Sequence, residues 1–339
     1  MGQFKHVVRD PVQYGVLLES LCKGGKHEDA IATLDELLEK GTLLDPRTPA
    51  LEDSAYNPMI EYLCGHGQTK KAEDLFRQLM KKGIDDRMAF NNLFRGHAKE
   101  GVPDSAFEML NIMTRRGVAT DADCYALLVE SFLKKGEPAD ARTALDSMIE
   151  QGHLPSPPLF RSVMVALFGD GRVQTASRVM KSMIEKGVKE NMDMVHKILE
   201  ALLMRGHVEE ALGRINLMMM NDSLPDFDGL LGALCDGGKA IEALKLVDFG
   251  LERDCDISFS SYDRVLDALY TAGKILPACS ILCKIKAKGG VVDKKGCEAL
   301  IKSLDEQGNT KQADILSRIL AGKAPLEAKK SKKVAAHPY

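Results

Sequence analysis

The side chains best suited to chemistry are scattered along this 339-residue chain. The histidines are His6, His27, His66, His97, His153, His196, His207 and His337, and no H-x-E is followed by a C-x-x-C. A zinc-activated water for deamination needs that ligand spacing and its proton-transferring Glu. Cys279 and Cys283 are one helical turn apart, but no His lies close in sequence to complete a metal site. Cys22, Cys64 and Cys235 each precede a glycine by three residues and read as small buried hydrophobes. Acidic pairs such as Asp35-Glu36 and Glu209-Glu210 fall in stretches of helical periodicity, where a solvated outer face accounts for them. There is no G-x-G-x-x-G or P-loop pattern to cradle a phosphate. The expectation is a chain that is not an enzyme and holds no cofactor and no metal. One concentration of charge remains. Lys329, Lys330, Lys332 and Lys333 lie in residues 323–339, KAPLEAKKSKKVAAHPY, a stretch without apolar periodicity that reads as a disordered basic tail over 322–339. Such lysines suit phosphate oxygens.

The rest of the chain is acidic. Its 46 Lys and Arg face 49 Asp and Glu, a net charge of −3, and setting aside the tail's +4 leaves −7 for the body. Hydrophobic residues reach 45%, enough to bury a core and to exclude disorder throughout. Aromatics are 5% and Trp is absent, so Leu, Ile, Val, Ala and 16 Met must fill that core, which favours packed helices over sheets. No stretch has the apolar length to span a bilayer, and no membrane partner is expected. Residues 1–10 carry no apolar signal region and no import presequence.

The elements that position these side chains repeat. A glycine followed five residues later by an alanine recurs as Gly25/Ala30, Gly67/Ala72, Gly101/Ala106, Gly136/Ala141, Gly171/Ala176, Gly206/Ala211, Gly238/Ala243, Gly273/Ala278 and Gly308/Ala313. The spacing settles at 35 residues. Eleven residues before each glycine stands Tyr14, Tyr56, Phe90, Tyr125, Phe160, Val195, Phe227, Tyr262 or Cys297. This spacing predicts a first helix of about three turns closed by the glycine, then a second helix carrying the alanine. The alanine lets two antiparallel helices approach closely, and methionines such as Met113, Met148, Met183 and Met218 fill the gaps between hairpins. A single hairpin cannot bury its apolar face, so nine must stack as an all-α solenoid.

A period of 35, large apolar residues in mid-first helix and no regular proline after the second helix separate this repeat from the tetratricopeptide kind. It resembles the pentatricopeptide repeat family, in its plain form without an editing extension and in the setting of plant organelles. The resemblance covers residues 11–321, read as nine repeats with an insertion at 46–52. Asp10 falls where a preceding repeat would end, so residues 1–10 read as a leader or the remnant of one more. The step around Pro225 is three residues short.

The resemblance implies a right-handed superhelix of helix-turn-helix hairpins whose first helices line a concave face and hold single-stranded RNA. In that family about one base is read per repeat, by the residue after the aromatic together with the last residue of the repeat. Carried onto this chain, the readers are Asn57 with Asp86 and Asn91 with Asp121, a combination that favours uracil or another pyrimidine. The Asn amide can donate and accept at a base edge while the Asp carboxylate orients it. Asp228, Asp263 and Glu298 stand at other reading positions and can only accept when ionised. Lys23, Lys99 and Lys134, two residues before their glycines, take the family's phosphate-contact position, with the tail lysines as further candidates. Val12 and Met88 take the place of the apolar wedge against a base. Asp228, Asp236, Asp263 and Asp267 would oppose phosphates along the first helices of repeats seven and eight.

Two functions follow. One is an organellar RNA-binding protein that holds single-stranded RNA, mainly through its N-terminal repeats, in processing, stability or translation. The other is an architectural subunit of a mitochondrial or plastid ribosome, with ribosomal RNA and ribosomal proteins as partners. The resemblance implies a mitochondrial location, with the chloroplast as alternative.

Overall fold

The computed structural model describes residues 11–39, 53–81, 83, 86–189, 191–287 and 294–321. The leader 1–10, the insertion 46–52 and the basic tail 322–339 lie outside them. The described residues form helices without a strand, in two compact units that part between Lys186 and Gly187. In the first unit the helices are α1 (Pro11–Lys23), α2 (His27–Glu39), α3 (Asp53–Gly65), α4 (Thr69–Lys81), α5 (Arg87–Lys99), α6 (Pro103–Arg115), α7 (Ala122–Lys135), α8 (Pro138–Glu150), α9 (Pro157–Gly169) and α10 (Val173–Glu185). The second holds α11 (Met192–Met204), α12 (Val208–Met220), α13 (Phe227–Asp236), α14 (Ala240–Glu252), α15 (Phe259–Thr271), α16 (Ile275–Ala287), α17 (Lys294–Glu306) and α18 (Thr310–Leu320). Among the described residues no helix is long and apolar enough to cross a membrane.

Odd and even helices pair as hairpins because the repeat glycine reverses the chain. All nine repeat glycines have φ between 68° and 82°, the left-handed region where a Cβ would clash. The residue after each glycine then sends its N–H back to a carbonyl of the last helical turn, as Glu137 does to Phe132 at 3.0 Å. Gly83, Gly117, Gly152 and Gly187 end second helices in the same conformation. In the sixth and seventh hairpins Asp222 and Asp254 occupy that position, with φ of 54° and 53°. The glycine pattern alone does not reveal them, because Asp tolerates this region at a cost.

Each hairpin is closed by its alanine and stacked through its aromatic position. The nine repeat alanines are at most 3% exposed and the nine residues of the aromatic series at most 5%. Met113, Met148, Met183 and Met218 are buried beside them. In the first unit α1 packs on α3, α3 on α5, α5 on α7 and α7 on α9, with α2, α4, α6 and α8 each also packed against the next first helix. In the second, α11 packs on α13 and α13 on α15, while α12 lies on α14.

A buried polar cluster pins α4 against α5. Glu100, just past α5, accepts from the Thr69 N–H at 2.9 Å and the Thr69 hydroxyl at 2.5 Å, capping α4 from the next hairpin. Gly96 makes room for it, since a Cβ there would strike the Thr69 side chain. Phe76 meets Phe90 edge to face with centroids 4.8 Å apart. Between the same two helices Glu73, 4% exposed, accepts from the Arg77 guanidinium at 2.6 Å and faces the buried His97 Nε2 at 3.3 Å. Burial pushes the Glu73 carboxyl up, but the hydrogen bonds from Arg77 and Lys70 outweigh it and hold the group below its usual value.

Two outcomes follow from this packing. Replacing Asp254 by Gly should raise stability by about 1 kcal/mol, because Gly removes the left-handed penalty, and a thermal melt measures it. A melting temperature unchanged or lowered would show that Asp254 is held by contacts worth more than the strain. Because Glu73 is depressed in the folded state, its contribution is complete above about pH 4.3 and is lost as pH falls through its lower folded value. The Glu73→Gln protein should therefore be less stable near neutrality, with the gap closing on acidification; a gap constant with pH would refute the assignment.

Candidate RNA interface

The residue that closes each repeat also caps the first helix of the next. Asp86 caps α5, Asp121 α7, Ser156 α9, Asp226 α13 and Ser258 α15, each accepting a backbone N–H of the first turn. This fixes the side chain beside the residue after the preceding repeat's aromatic. Asn191, before α11, departs from the series: its φ is 66° and its side chain makes no cap bond.

Asp86 carries both roles at once. Its Oδ1 accepts from the Met88 N–H at 2.8 Å, while Oδ2 accepts from Asn57 Nδ2 at 2.6 Å and the Tyr56 hydroxyl at 3.0 Å. Asn57 is thereby oriented by Asp86. Its remaining acceptor, Oδ1, is buried with no hydrogen-bond partner among the described residues.

Asn91 and Asp121 are arranged differently. The Cys124 N–H donates to Asp121 Oδ1 at 2.9 Å, and the Cys124 thiol donates to Asn91 Oδ1 at 3.6 Å. Burial, then the neighbouring Asp121, pushes that thiol up to about 12, so it stays protonated and serves as donor. Burial also pushes the Asp121 carboxyl up, but its bonds to Cys124 and the nearby Arg95 and Arg87 leave it below the usual range.

The repeat pattern does not single out those two arginines. Arg87, Asn91, Arg95 and Lys99 follow one another at four-residue intervals along α5, which places them on one helical face. Arg87, Arg95 and Lys99 are exposed, and Asn91 is half-buried among them. The signal that finds them is an i, i+4 series of cations around a reading position.

The other candidates divide. Lys23 is exposed but paired with Glu19 at 2.6 Å. Lys99 and Lys134 are exposed with no ion pair among the described residues. Met88 stands 62% exposed on the first turn of α5, whereas Val12 lies in α1 with its side chain outside the described residues, as do Lys329, Lys330, Lys332 and Lys333. Cys279 and Cys283 share a hydrogen bond on α16 that holds the Cys283 thiol down to about 7 and, with burial, raises Cys279.

The four carboxylates expected to oppose phosphates are not equivalent. Asp228 Oδ1 accepts from the Ser258 N–H at 3.1 Å and its hydroxyl at 3.0 Å, the reader and closing residue joined as in Asn57–Asp86 but with donor and acceptor exchanged. Asp236, at the end of its first helix, is held by Arg264 of the next first helix at 2.8 and 2.9 Å. Asp263 is raised by burial and by Asp267 alongside. The expected acidic stripe is therefore half committed to helix–helix contacts.

Comparison with known proteins agrees with the repeat geometry. A family profile described as pentatricopeptide repeat-containing protein matches residues 89–218, and the PPR repeat profile matches 14–42 and 54–84. Large ribosomal subunit protein mL102 of Arabidopsis thaliana is 61% identical over 91% of this chain and 41% of its own length. A mitochondrial pentatricopeptide repeat-containing protein of the same plant is 25% identical over 38% of this chain and 29% of its own length. The chain thus spans less than half of these curated relatives. The crystal structure of the pentatricopeptide repeat protein PPR10 from maize aligns with 91% of this chain and 44% of its own, at 19% identity and a TM-score of 0.39. With both repeat profiles together matching more than half of its residues, in register with the glycine–alanine period, the chain belongs to the pentatricopeptide repeat family.

Proposed function

We propose that this chain is a non-enzymatic RNA-binding component of the large ribosomal subunit of plant mitochondria, making contacts with ribosomal RNA and with neighbouring proteins. The observation that carries this is its 61% identity to a large ribosomal subunit protein along 91% of its length. The geometry supports it in two ways. Closing residues such as Ser156, Asp226 and Ser258 are engaged as helix caps, and Asp228 and Asp236 as inter-helix partners, which suits a rigid scaffold better than a base-by-base reader. The exposed cations Arg87, Arg95 and Lys99 on α5 offer a phosphate-facing stripe that fits folded or single-stranded RNA alike. A second reading, a free organellar factor holding single-stranded RNA through its N-terminal repeats, is favoured by the Asn57–Asp86 pair alone.

Sedimentation of mitochondrial extracts decides between them: the chain should travel with large ribosomal particles and stay there after RNase-free high-salt washing, whereas a free factor would remain in light fractions. RNA contacts are tested on the isolated protein. Replacing Asn57 by Ala should weaken a uridine-rich strand by about tenfold, with little effect on a purine-rich strand. Changing Arg95 and Lys99 to Glu should weaken every strand alike and make the slope of log affinity against log salt shallower by about one for each phosphate no longer neutralised. Affinities unmoved by both sets would place the RNA elsewhere on the chain.

A further inference from the structure

Helix α13 is one turn shorter than its counterparts. It has 10 residues where α11 and α15 have 13. The turn it lacks is the first, because α11 opens at Met192 and α15 at Phe259, both three residues ahead of the aromatic position, while α13 opens at Phe227 itself. The segment Leu224-Pro225-Asp226 runs in place of that turn, and the proline keeps the residue before it out of helical conformation. Where the turn would have packed against α11, a cavity of about 380 Å³ opens. Met192, Val195 and Leu199 of α11, Met218 of α12, and Leu224 and Pro225 form its apolar lining, with His196 and Asp226 as polar residues.

The surroundings say what fits. Met192, Met220, Leu224 and Phe259 are exposed at 37%, 75%, 65% and 49%, all at the end of the stack where second helices hand over to first helices. At that end the α12–α13 and α14–α15 loops carry Asp222, Asp226, Asp254 and Asp256, all exposed, while the loop before α11 carries the exposed Lys189. Arg253, the cation of the α14–α15 loop, is held over the Phe249 ring at 3.7 Å and bonded to Asn216. Residues 187–273 hold sixteen Asp and Glu against eight Lys and Arg. A nucleobase would fill the space, but its phosphates would lie among these carboxylates.

We propose that this cavity is the docking site for a basic protein segment: one large apolar side chain enters where the first turn of α13 is missing, and flanking Lys and Arg residues lie against Asp222, Asp226, Asp254 and Asp256. The partner's chemistry deepens the ribosomal reading, on which it rests for the supply of basic neighbours. The apolar anchor supplies affinity and the acidic rim supplies orientation and rate.

The test uses the full chain and a short fluorescent peptide of Lys and Arg with one central Phe. Binding measured by anisotropy should weaken about tenfold when that Phe is replaced by Ala. Leu224→Ser with Met192→Ser should produce a similar loss, and both sites are exposed enough for circular dichroism to confirm an unchanged fold. Asp222→Asn with Asp254→Asn should weaken binding at low salt and flatten its salt dependence. Peptide affinity indifferent to the Leu224 and Met192 changes overturns the proposal, as does displacement of the peptide by an oligouridine strand, which would make the cavity an RNA subsite. Sedimentation with large ribosomal particles is read separately: its persistence in a chain that ignores the peptide sinks the docking site alone, and its failure in a chain that binds the peptide sinks the ribosomal reading alone.

Discussion

Within each compact unit a hairpin leaves one apolar face that the next hairpin covers, and the rest of the unit depends on that face being covered by a neighbour. The alanine and the aromatic position act together: one allows close approach within the hairpin, the other fills the space against the adjoining one. Because the contacts are local, a departure in one repeat is absorbed there. The presence of Asp in place of Gly at 222 and 254 leaves the second helices ending in the same left-handed conformation as at Gly187. The missing turn of α13 leaves Leu230, Leu231 and Leu234 buried as elsewhere and shows itself as a cavity at one end.

Stacking also imposes a second requirement, since each first helix begins next to its predecessor and needs its leading N–H groups satisfied. The residue closing the previous repeat does this, so capping favours Asp or Ser there before any ligand is considered. That constraint explains why a carboxylate stands close enough to Asn57 to orient it: one oxygen of Asp86 serves the helix and the other serves the neighbour. The same geometry with Ser258 and Asp228 reversed consumes both groups. Reading capacity is a surplus left over from capping.

Most of the fold is legible in the residues because its signals are single-position and repeated. Nine glycines, nine alanines and the series from Tyr14 to Cys297 each report a backbone or packing necessity at fixed spacing. The site is less legible, because its properties arise from pairs in different repeats. The arrangement of Asn57 follows from the match between Asn and Asp, but nothing in the spacing says that the Cys124 thiol stands against Asn91. The Asp236–Arg264 pair is likewise invisible to a reading that counts carboxylates on one face, since the neutralising cation comes from the next first helix. Arg87 and Arg95 are open to detection as an i, i+4 series, yet the family positions direct attention to Lys99 alone.

Charge is gathered locally within each compact unit, taken by itself. In the first, the exposed ends of helices carry Lys81, Arg115, Arg116 and Lys186, and the α5 stripe adds Arg87, Arg95 and Lys99. In the second, the corresponding loops carry Asp222, Asp226, Asp254 and Asp256 beside exposed Leu224 and Phe259. Phosphate binding draws on accumulated positive charge, and its free energy falls steeply where carboxylates intervene. A chain with a net charge of −3 can still bind RNA where cations are gathered on one helix face, as Arg87, Arg95 and Lys99 are on α5. The acidic repeats then need not be idle surface: where they combine carboxylates with an apolar cavity, the same electrostatics that excludes RNA selects a cationic protein, so one repeating fold can meet two chemically opposite partners by changing only the side chains at its helix ends.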